Sequence, residues 1–287
     1  MKKLSILAFL SLFCHQLIGQ TNFSGVWQGL FIRDGQKQEQ GTLFYTNFTI
    51  STNVVSGKTR DEIYNTDYFA LKQIKGSLKN NEITFNQTVV EKKKNAPNTS
   101  WCKVEATLKY NDSTGYLEGR FKSTDCKNFT GKIILYRSTV PFSTTEAVMA
   151  THSWRDRFIQ DLKKGFNAPE IREKERKNFD FQPIYFDYDK AEIRPEYTAF
   201  LDKMIRVVDS HTDLRIKVTG HTDADGTDAY NIELSKKRAE ALINYFVSHG
   251  LKRDRIEIDF KGEKNPIDSN DTPEGKQRNR RVDFAFI

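Results

Sequence analysis

Apolar and polar residues alternate with a period of two over much of residues 20–140, and clusters of Gly, Asn, Asp and Ser separate the alternating runs. This period places apolar side chains on one face of an extended strand. Seven runs predict seven strands, at residues 25–31, 42–50, 68–74, 82–90, 104–110, 116–121 and 132–136. So many short strands predict an all-β N-terminal domain, an antiparallel barrel or sandwich.

Three interpretations of this β-domain stay open. Either side chains fill its interior, so that the domain is a scaffold, or its interior holds a small apolar ligand or its surface docks a partner. A third interpretation is an integral outer-membrane barrel, although the strands are short and show no outward apolar band of about ten residues. Gly25, Trp27 and Gly29 in a Gly-x-Trp-x-Gly opening are similar to the lipocalin and avidin type of small barrel.

Residues 141–182 change to a helical pattern. Trp154, Phe158 and Leu162 recur every four positions, which predicts an amphipathic helix over residues 153–165. Pro169 interrupts the pattern, and residues 170–177 form a short charged helix with a solvated face. We therefore expect a helical linker between two domains.

Residues 183–287 alternate between strand and helix periods. Strands are predicted at 184–187, 214–219, 255–260 and 282–287, and helices at 195–209 and 228–249. Ala239, Leu242, Ile243 and Phe246 form the apolar stripe of the second helix. This order predicts an α+β domain with two helices on a small mixed sheet.

The first 19 residues have the pattern of a secretory signal peptide. Lys2 and Lys3 precede a short apolar run, and we expect cleavage near Gly19 or Gln20. Removing this segment takes away two lysines and no acids, so the net charge falls from +7 to +5. This mildly basic balance, without an arginine-rich helix, predicts no nucleic-acid partner.

Two cysteines remain after the signal, Cys102 and Cys126. Each lies twelve positions from Thr114, in the turn of a predicted hairpin. If the turn centres there, the two sulfurs face each other across antiparallel strands. We expect a disulfide, which agrees with export to an oxidising compartment.

Asp223 and Arg238 stand fifteen positions apart, one at the end of a predicted strand and the other in the following helix. This spacing predicts that a carboxylate and a guanidinium face one small cavity. A carboxylate binds an ammonium group, and a flat guanidinium binds a carboxylate through two parallel hydrogen bonds. The pair suits a zwitterion such as the free end of diaminopimelate in the peptidoglycan stem peptide. The alternative is that Arg238 pairs with Asp223 for stability alone.

The spacing of three short motifs resembles the pattern of the OmpA-like C-terminal domain family. Thr222-Asp223 is followed after ten residues by Leu234-Ser235, which is followed after two residues by Arg238-Ala239. Other motifs of that family follow in order, and the resemblance covers roughly residues 183–287. It implies non-covalent binding of peptidoglycan. The site residues that it implies are Asp223, Arg238, Asn231, Arg280, Asp187 and Tyr188.

Enzymatic function is not expected. No His pair has metal-ligand spacing, no Ser or Cys stands in a nucleophile motif, and no Gly-rich phosphate loop occurs. We expect no catalytic residue, metal or cofactor. The sequence predicts an envelope protein of a Gram-negative bacterium, periplasmic or associated with the outer membrane, that anchors a β-domain to peptidoglycan. An envelope protein is a further expected partner. A ligand carrier tethered to the wall is the alternative.

Overall fold

The computed structural model describes residues 22–97, 99–147 and 152–287, and the chain divides into two compact units. The first unit runs to Tyr110 and resumes over Leu117–His152. The second comprises Asn111–Tyr116 and Ser153–Ile287. Each unit has its own apolar core, so each is described by itself.

Eight antiparallel strands close into a barrel. They are β1 (Gly25–Arg33), β2 (Thr42–Ser51), β3 (Val54–Glu62), β4 (Phe69–Lys79), β5 (Glu82–Lys94), β6 (Val104–Asn111), β7 (Tyr116–Ser123) and β8 (Thr130–Arg137). The strands follow one another around the wall, and β8 pairs with β1 to complete it. The predicted barrel is confirmed over the sandwich, but the sequence pattern missed β3.

Apolar side chains fill most of the barrel interior. Trp27, Phe44, Phe48 and Phe85 are buried there, and alternate residues of β5, β6 and β7 point inward. Trp27 donates its indole N–H to the carbonyl of Phe23 at 2.9 Å, which satisfies its one polar atom. A packed core of this kind fits the scaffold interpretation over most of the barrel's length.

The chain that follows β8 crosses the outer face of the barrel. Buried Arg60, on β3, donates to the carbonyl of Thr145 at 2.7 Å and to that of Ala147 at 2.9 Å. Its Nε donates to Glu62 at 2.5 Å, and its guanidinium lies over the ring of Phe69. Residues 138–147 are thereby fixed to the wall.

The expected disulfide is confirmed. Cys102 and Cys126 are bonded, with their Cα atoms 5.8 Å apart. Cys102 precedes β6 and Cys126 follows β7, so the bond joins two loops at one mouth of the barrel.

The second unit begins with two helices, α1 (Trp154–Lys163) and α2 (Pro169–Lys177). Arg157 and Arg172 both donate to the carbonyl of Ser210. Asp161, on α1, accepts from both arginines, at 2.7 and 2.9 Å. The predicted amphipathic helix is present as α1, and charged groups fix both helices to the end of the next helix.

The rest of this unit is the predicted α+β layer. The elements are β9 (Ile184–Tyr185), α3 (Thr198–Ser210), β10 (Ile216–Gly220), α4 (Asp228–Ser248), β11 (Ile256–Phe260), α5 (Pro273–Asn279) and β12 (Arg281–Phe286). The sheet has the order β11-β10-β12-β9, only its β10–β11 pairing is parallel, and two helices, α3 and α4, share its apolar core. The predicted stripe of α4 is buried in the core, and α5 was not predicted.

The expected signal peptide lies outside the described residues. Among the helices that are described, none has the length and apolar character that a membrane crossing requires.

Candidate binding site at the end of strand β10

The close approach of α4 to β10 depends on Gly220. A Cβ at this position would lie 2.0 Å from the carbonyl oxygen of Ser235, on α4, so only glycine fits. The Ser235 hydroxyl accepts a hydrogen bond from the N–H of Gly262, which ties the helix to the loop after β11. Arg238 follows Ser235 by less than one helical turn. The packing therefore delivers its guanidinium to the end of β10.

Arg238 is completely buried and donates only to backbone carbonyls. Its Nε donates to Lys190 at 2.8 Å, Nη1 to His221 at 2.9 Å and Nη2 to Asp187 at 3.2 Å. No carboxylate in the described part of the chain forms a salt bridge with it. Burial, aided by the charge of Arg280 nearby, lowers the pKa of Arg238 to about 10. The group stays charged at neutral pH, and two of its five N–H donors are left for another acceptor.

The carboxylate of Asp223 pairs with Arg280 instead. Asp223 is buried, and its Oδ2 accepts from Nη1 of Arg280 at 2.7 Å. Its Oδ1 accepts from the backbone N–H of Asp225 at 3.3 Å. The negative charge of Asp223 nevertheless raises the pKa of Arg238 and so favours its charged form. The structure brings the predicted acid and base into one site. The acid, Asp223, is however paired with Arg280 rather than with the predicted base, Arg238.

The unpredicted helix α5 positions Arg280. Thr272 caps it by accepting from the N–H of Gly275 at 3.1 Å, and Pro273 occupies its first turn. Arg280 follows the last residue of α5 and also donates to Gln277 and to the carbonyl of Phe186. The Thr-Pro-Glu start was a usable signal, but a seven-residue helix is too short to show an apolar period.

The other three predicted site residues surround this centre. Asn231 is buried and donates to Glu263, while its Oδ1 has no partner among the described residues. Asp187 accepts from Arg238 through its carbonyl, and its half-exposed carboxylate pairs with Arg194. Tyr188 is exposed, with its ring 6.0 Å from the guanidinium carbon of Arg280.

Sequence reasoning missed a contact between Tyr230 and Asp189. The Tyr230 hydroxyl donates to the Asp189 carboxylate, which raises the pKa of Tyr230. Asp189 has a φ of 56°, in the left-handed region, and lies in the loop that Arg238 holds through two carbonyls. This contact ties the loop of residues 187–190 to α4, next to the buried guanidinium.

The arrangement favours a ligand that carries a carboxylate and further donors. Two buried arginines surround one buried aspartate, so the centre carries excess positive charge. The hydroxyl oxygen of Thr222 and Oδ1 of Asn231 are buried and have no partner in the described part of the chain. Buried polar atoms are normally hydrogen-bonded, so a site with open acceptors and open guanidinium donors is suited to a polar, partly anionic ligand.

Comparison with known proteins supports the resemblance read from the motifs. The model of the OmpA family matches residues 185–280, which contain all six predicted site residues. The family resemblance of the C-terminal domain is confirmed.

Individual relatives match the same part of the chain. Outer membrane protein A of Bordetella avium is 42% identical over 106 residues, which are 36% of this chain and 53% of that protein. Peptidoglycan-binding protein ArfA of Mycobacterium tuberculosis is 38% identical over 103 residues, 36% of this chain and 32% of that protein. The chain thus spans about half, or less, of the length of these relatives.

Among solved structures, the chain is similar to the peptidoglycan-associated lipoprotein from Burkholderia pseudomallei. The two are 29% identical, with a TM-score of 0.36, and the match covers 37% of this chain and 90% of that one.

Proposed function

We propose that the segment matched by the OmpA family model binds peptidoglycan non-covalently and anchors the β-barrel to the cell wall. The observation that carries this proposal is the charge of Arg238, which is fully buried and has no carboxylate partner in the described chain. Burying a charge without neutralising it is costly, and a ligand carboxylate would supply the missing partner.

The ligand group that we infer is the free zwitterionic end of diaminopimelate. Its carboxylate would accept from the open N–H groups of Arg238, and its ammonium would bind Asp223. Arg280 would then share Asp223 with the ligand and take a second carboxylate or a peptide carbonyl. The open acceptors on Thr222 and Asn231 would receive the remaining ammonium and amide N–H groups.

Access to Arg238 requires a local rearrangement, because its side chain has no exposed surface. The loop of residues 187–190 accepts two of its three hydrogen bonds and is held by the Tyr230–Asp189 contact. We infer that ligand binding displaces this loop and replaces its carbonyls by carboxylate oxygens. A carboxylate acceptor also neutralises the buried charge of Arg238, which a carbonyl acceptor does not, so the exchange favours the bound state.

The names of the matched relatives point the same way. One is a peptidoglycan-binding protein and another an outer membrane protein. We propose a location in the cell envelope, which agrees with the expected signal peptide and with the disulfide. No catalytic step, metal or cofactor is part of the proposal.

The outward side of the barrel weighs against the third interpretation, a membrane-spanning domain. Exposed Glu82, Lys109, Glu118 and Lys122 point outward from β5, β6 and β7. The opposite part of the outer face is covered by residues 138–147, which Arg60 holds. A membrane barrel instead presents an apolar band to lipid.

Co-sedimentation with purified peptidoglycan tests the proposal. We expect the full chain to pellet with diaminopimelate-type peptidoglycan and Arg238→Lys and Asp223→Asn to stay largely soluble, with binding at least about tenfold weaker. Arg255→Lys is the matched control, because Arg255 also donates to three backbone carbonyls, those of Val208, His211 and Leu214, at the other end of β10. Circular dichroism checks that each variant is folded.

Two results would overturn parts of the proposal. If the wild-type chain stays soluble, or if the control loses binding as strongly as the site variants, the wall-binding site is wrong. If lysine-type peptidoglycan, whose side chain lacks the second carboxylate, binds equally well, wall binding stands and the diaminopimelate assignment fails.

A further inference from the structure

A cavity of about 430 Å³ opens at the mouth of the barrel that the disulfide closes on one side. The end of β1, the start of β2, the end of β3 and the loops next to Cys102 and Cys126 form its wall. This volume lies in the range of small-molecule pockets and is far larger than the roughly 30 Å³ that one water occupies. The apolar core reaches this mouth through Phe31 and Phe129 but does not fill the space there.

A buried polar cluster adjoins this mouth cavity through Asp61 and Cys102, which line it. The ammonium of Lys72 donates to Asp61 at 2.5 Å, to Gln87 at 3.2 Å and to the carbonyl of Cys102 at 2.7 Å. The amide of Gln87 donates to Thr59 at 2.8 Å. All three N–H donors of Lys72 are therefore engaged within the barrel.

One oxygen of this cluster has no partner in the described part of the chain, and it belongs to a residue that lines the mouth cavity. Asp61 lines the cavity and is 7% exposed. Its Oδ2 pairs with Lys72, whereas Oδ1 is buried and accepts no hydrogen bond from the described residues. Burial raises the pKa of Asp61 although Lys72 opposes the shift. Buried acceptors are normally hydrogen-bonded, and a rotation of the Asp61 carboxylate toward the cavity would let Oδ1 accept from a donor that comes from outside the protein.

The remaining lining divides into an apolar wall and a basic rim. Phe31, Trp101 and Phe129 supply aromatic surface. Arg33 and Lys127 are exposed at the opening, and neither forms a salt bridge within the described chain. The guanidinium of Arg33 lies 4.9 Å from the centroid of the Phe129 ring. Together with Asp61, this lining offers an acceptor, aromatic walls and free positive charge.

We propose that the mouth cavity binds a small, mostly aromatic molecule with a hydroxyl or amine donor at one end and an acidic group at the other. The donor binds Oδ1 of Asp61, the body packs against Phe31, Trp101 and Phe129, and the acid meets Arg33 and Lys127. The barrel would then bind a ligand at one mouth while the rest of its interior serves as scaffold. This site is independent of Arg238 and of the proposed wall binding.

The dye 1-anilinonaphthalene-8-sulfonate has the required chemistry, namely an N–H donor, an aromatic body and a sulfonate. We expect its fluorescence to rise saturably with one site per full chain. The double variant Arg33→Glu/Lys127→Glu should bind about tenfold more weakly, because two attractive charges at the rim become repulsive. Lys75→Glu/Lys109→Glu changes the net charge equally on exposed positions outside the mouth and should bind within about twofold of wild type.

Asp61→Asn tests the acceptor. An asparagine directs its carbonyl oxygen to Lys72 and its NH₂ into the cavity, where it opposes the donor of the dye, so we expect about tenfold weaker binding. Near-UV circular dichroism identifies an unfolded variant, and in that case the rim variants alone decide. Arg238→Lys should leave dye binding unchanged, which separates this site from the wall-binding site.

Three results would overturn the proposal. The first is the absence of saturable binding. The second is equal weakening by the rim variant and its charge-matched control. The third is a folded Asp61→Asn variant that binds the dye as wild type does.

Discussion

Arg60 in the barrel and Arg238 in the C-terminal unit are both completely buried, yet their surroundings differ in one respect. Arg60 donates to three backbone carbonyls and also to the carboxylate of Glu62. Arg238 donates to three carbonyls and has no carboxylate partner in the part of the chain that the structure describes. The first charge is neutralised inside its own unit, and the second is not.

This difference separates a structural arginine from one suited to a ligand. A buried ion pair that is complete holds two segments together, and breaking it leaves the partner uncompensated. A buried cation held by carbonyls alone keeps an unmet preference for an anion. The second unit also contains Arg281, which is buried but pairs with Asp283 at 2.9 Å. All three arginines are buried, and Arg238 differs from the other two because no carboxylate in the described chain neutralises its charge.

The largest effect on stability should come from breaking the buried ion pair between Arg60 and Glu62. We expect Arg60→Met to destabilise the barrel by about 3–5 kcal/mol, because Glu62 would remain buried without its guanidinium partner and with His152, at 2.8 Å, as its neighbouring polar group. Hydrogen exchange measured by mass spectrometry would show loss of protection in β1–β4 while the sheet of β9–β12 stays protected. A second change, Glu62→Gln, should restore part of the loss. Unchanged protection in the barrel would refute the structural role of Arg60.

Removal of the disulfide should have the next largest effect on stability. Replacing Cys102 and Cys126 by alanine should lower the free energy of barrel unfolding by about 3 kcal/mol, since the bond closes a loop with a sequence separation of 24. Urea titration followed by far-UV circular dichroism measures this loss. Treating the wild-type protein with a reductant should have the same effect, and a reductant should not affect the variant. A midpoint that is insensitive to the disulfide would contradict this expectation.

Arg238→Met should cost less stability than Arg60→Met, about 1–3 kcal/mol, because only carbonyl acceptors lose their donor. Its effect on peptidoglycan binding should instead be nearly complete. Urea unfolding and co-sedimentation on the same samples give both quantities. If Arg238→Met destabilises its unit as much as Arg60→Met destabilises the barrel, the contrast between the two arginines fails.

The helix caps should give the smallest effects. Thr227 accepts from the N–H of Tyr230 at 3.2 Å, and Thr272 accepts from that of Gly275 at 3.1 Å. Replacing either threonine by alanine should cost about 1 kcal/mol of stability. Thr212→Ala, on an exposed loop residue, is the control and should change stability by less than about 0.5 kcal/mol. If Thr212→Ala lowers stability as much as the cap variants do, the capping role of Thr227 and Thr272 is contradicted.

The missed strand β3 shows where the hydrophobic pattern fails. Its residues Thr59, Arg60, Asp61 and Glu62 are polar or charged, and yet all four are buried. Asp61 points into the barrel toward Lys72, while Arg60 and Glu62 point outward beneath residues 138–147. Gln87 donates to Thr59 and Lys72 pairs with Asp61, while Arg60 pairs with Glu62 and also donates to carbonyls of residues 143–147, so most of these partners are distant in sequence. A pattern that scores residues singly assigns such a segment to the surface.

The sequence by itself predicted an all-β first domain, an α+β second domain, the disulfide and the resemblance of the C-terminal domain to the OmpA family. Alternation of apolar residues and the spacing of the motifs are local properties, and they are visible without coordinates. Only the tertiary structure decided that Arg280 rather than Arg238 pairs with Asp223, and that the barrel core leaves a cavity unfilled at one mouth. The physical reason is that charge neutralisation and empty volume depend on contacts between residues far apart in the chain.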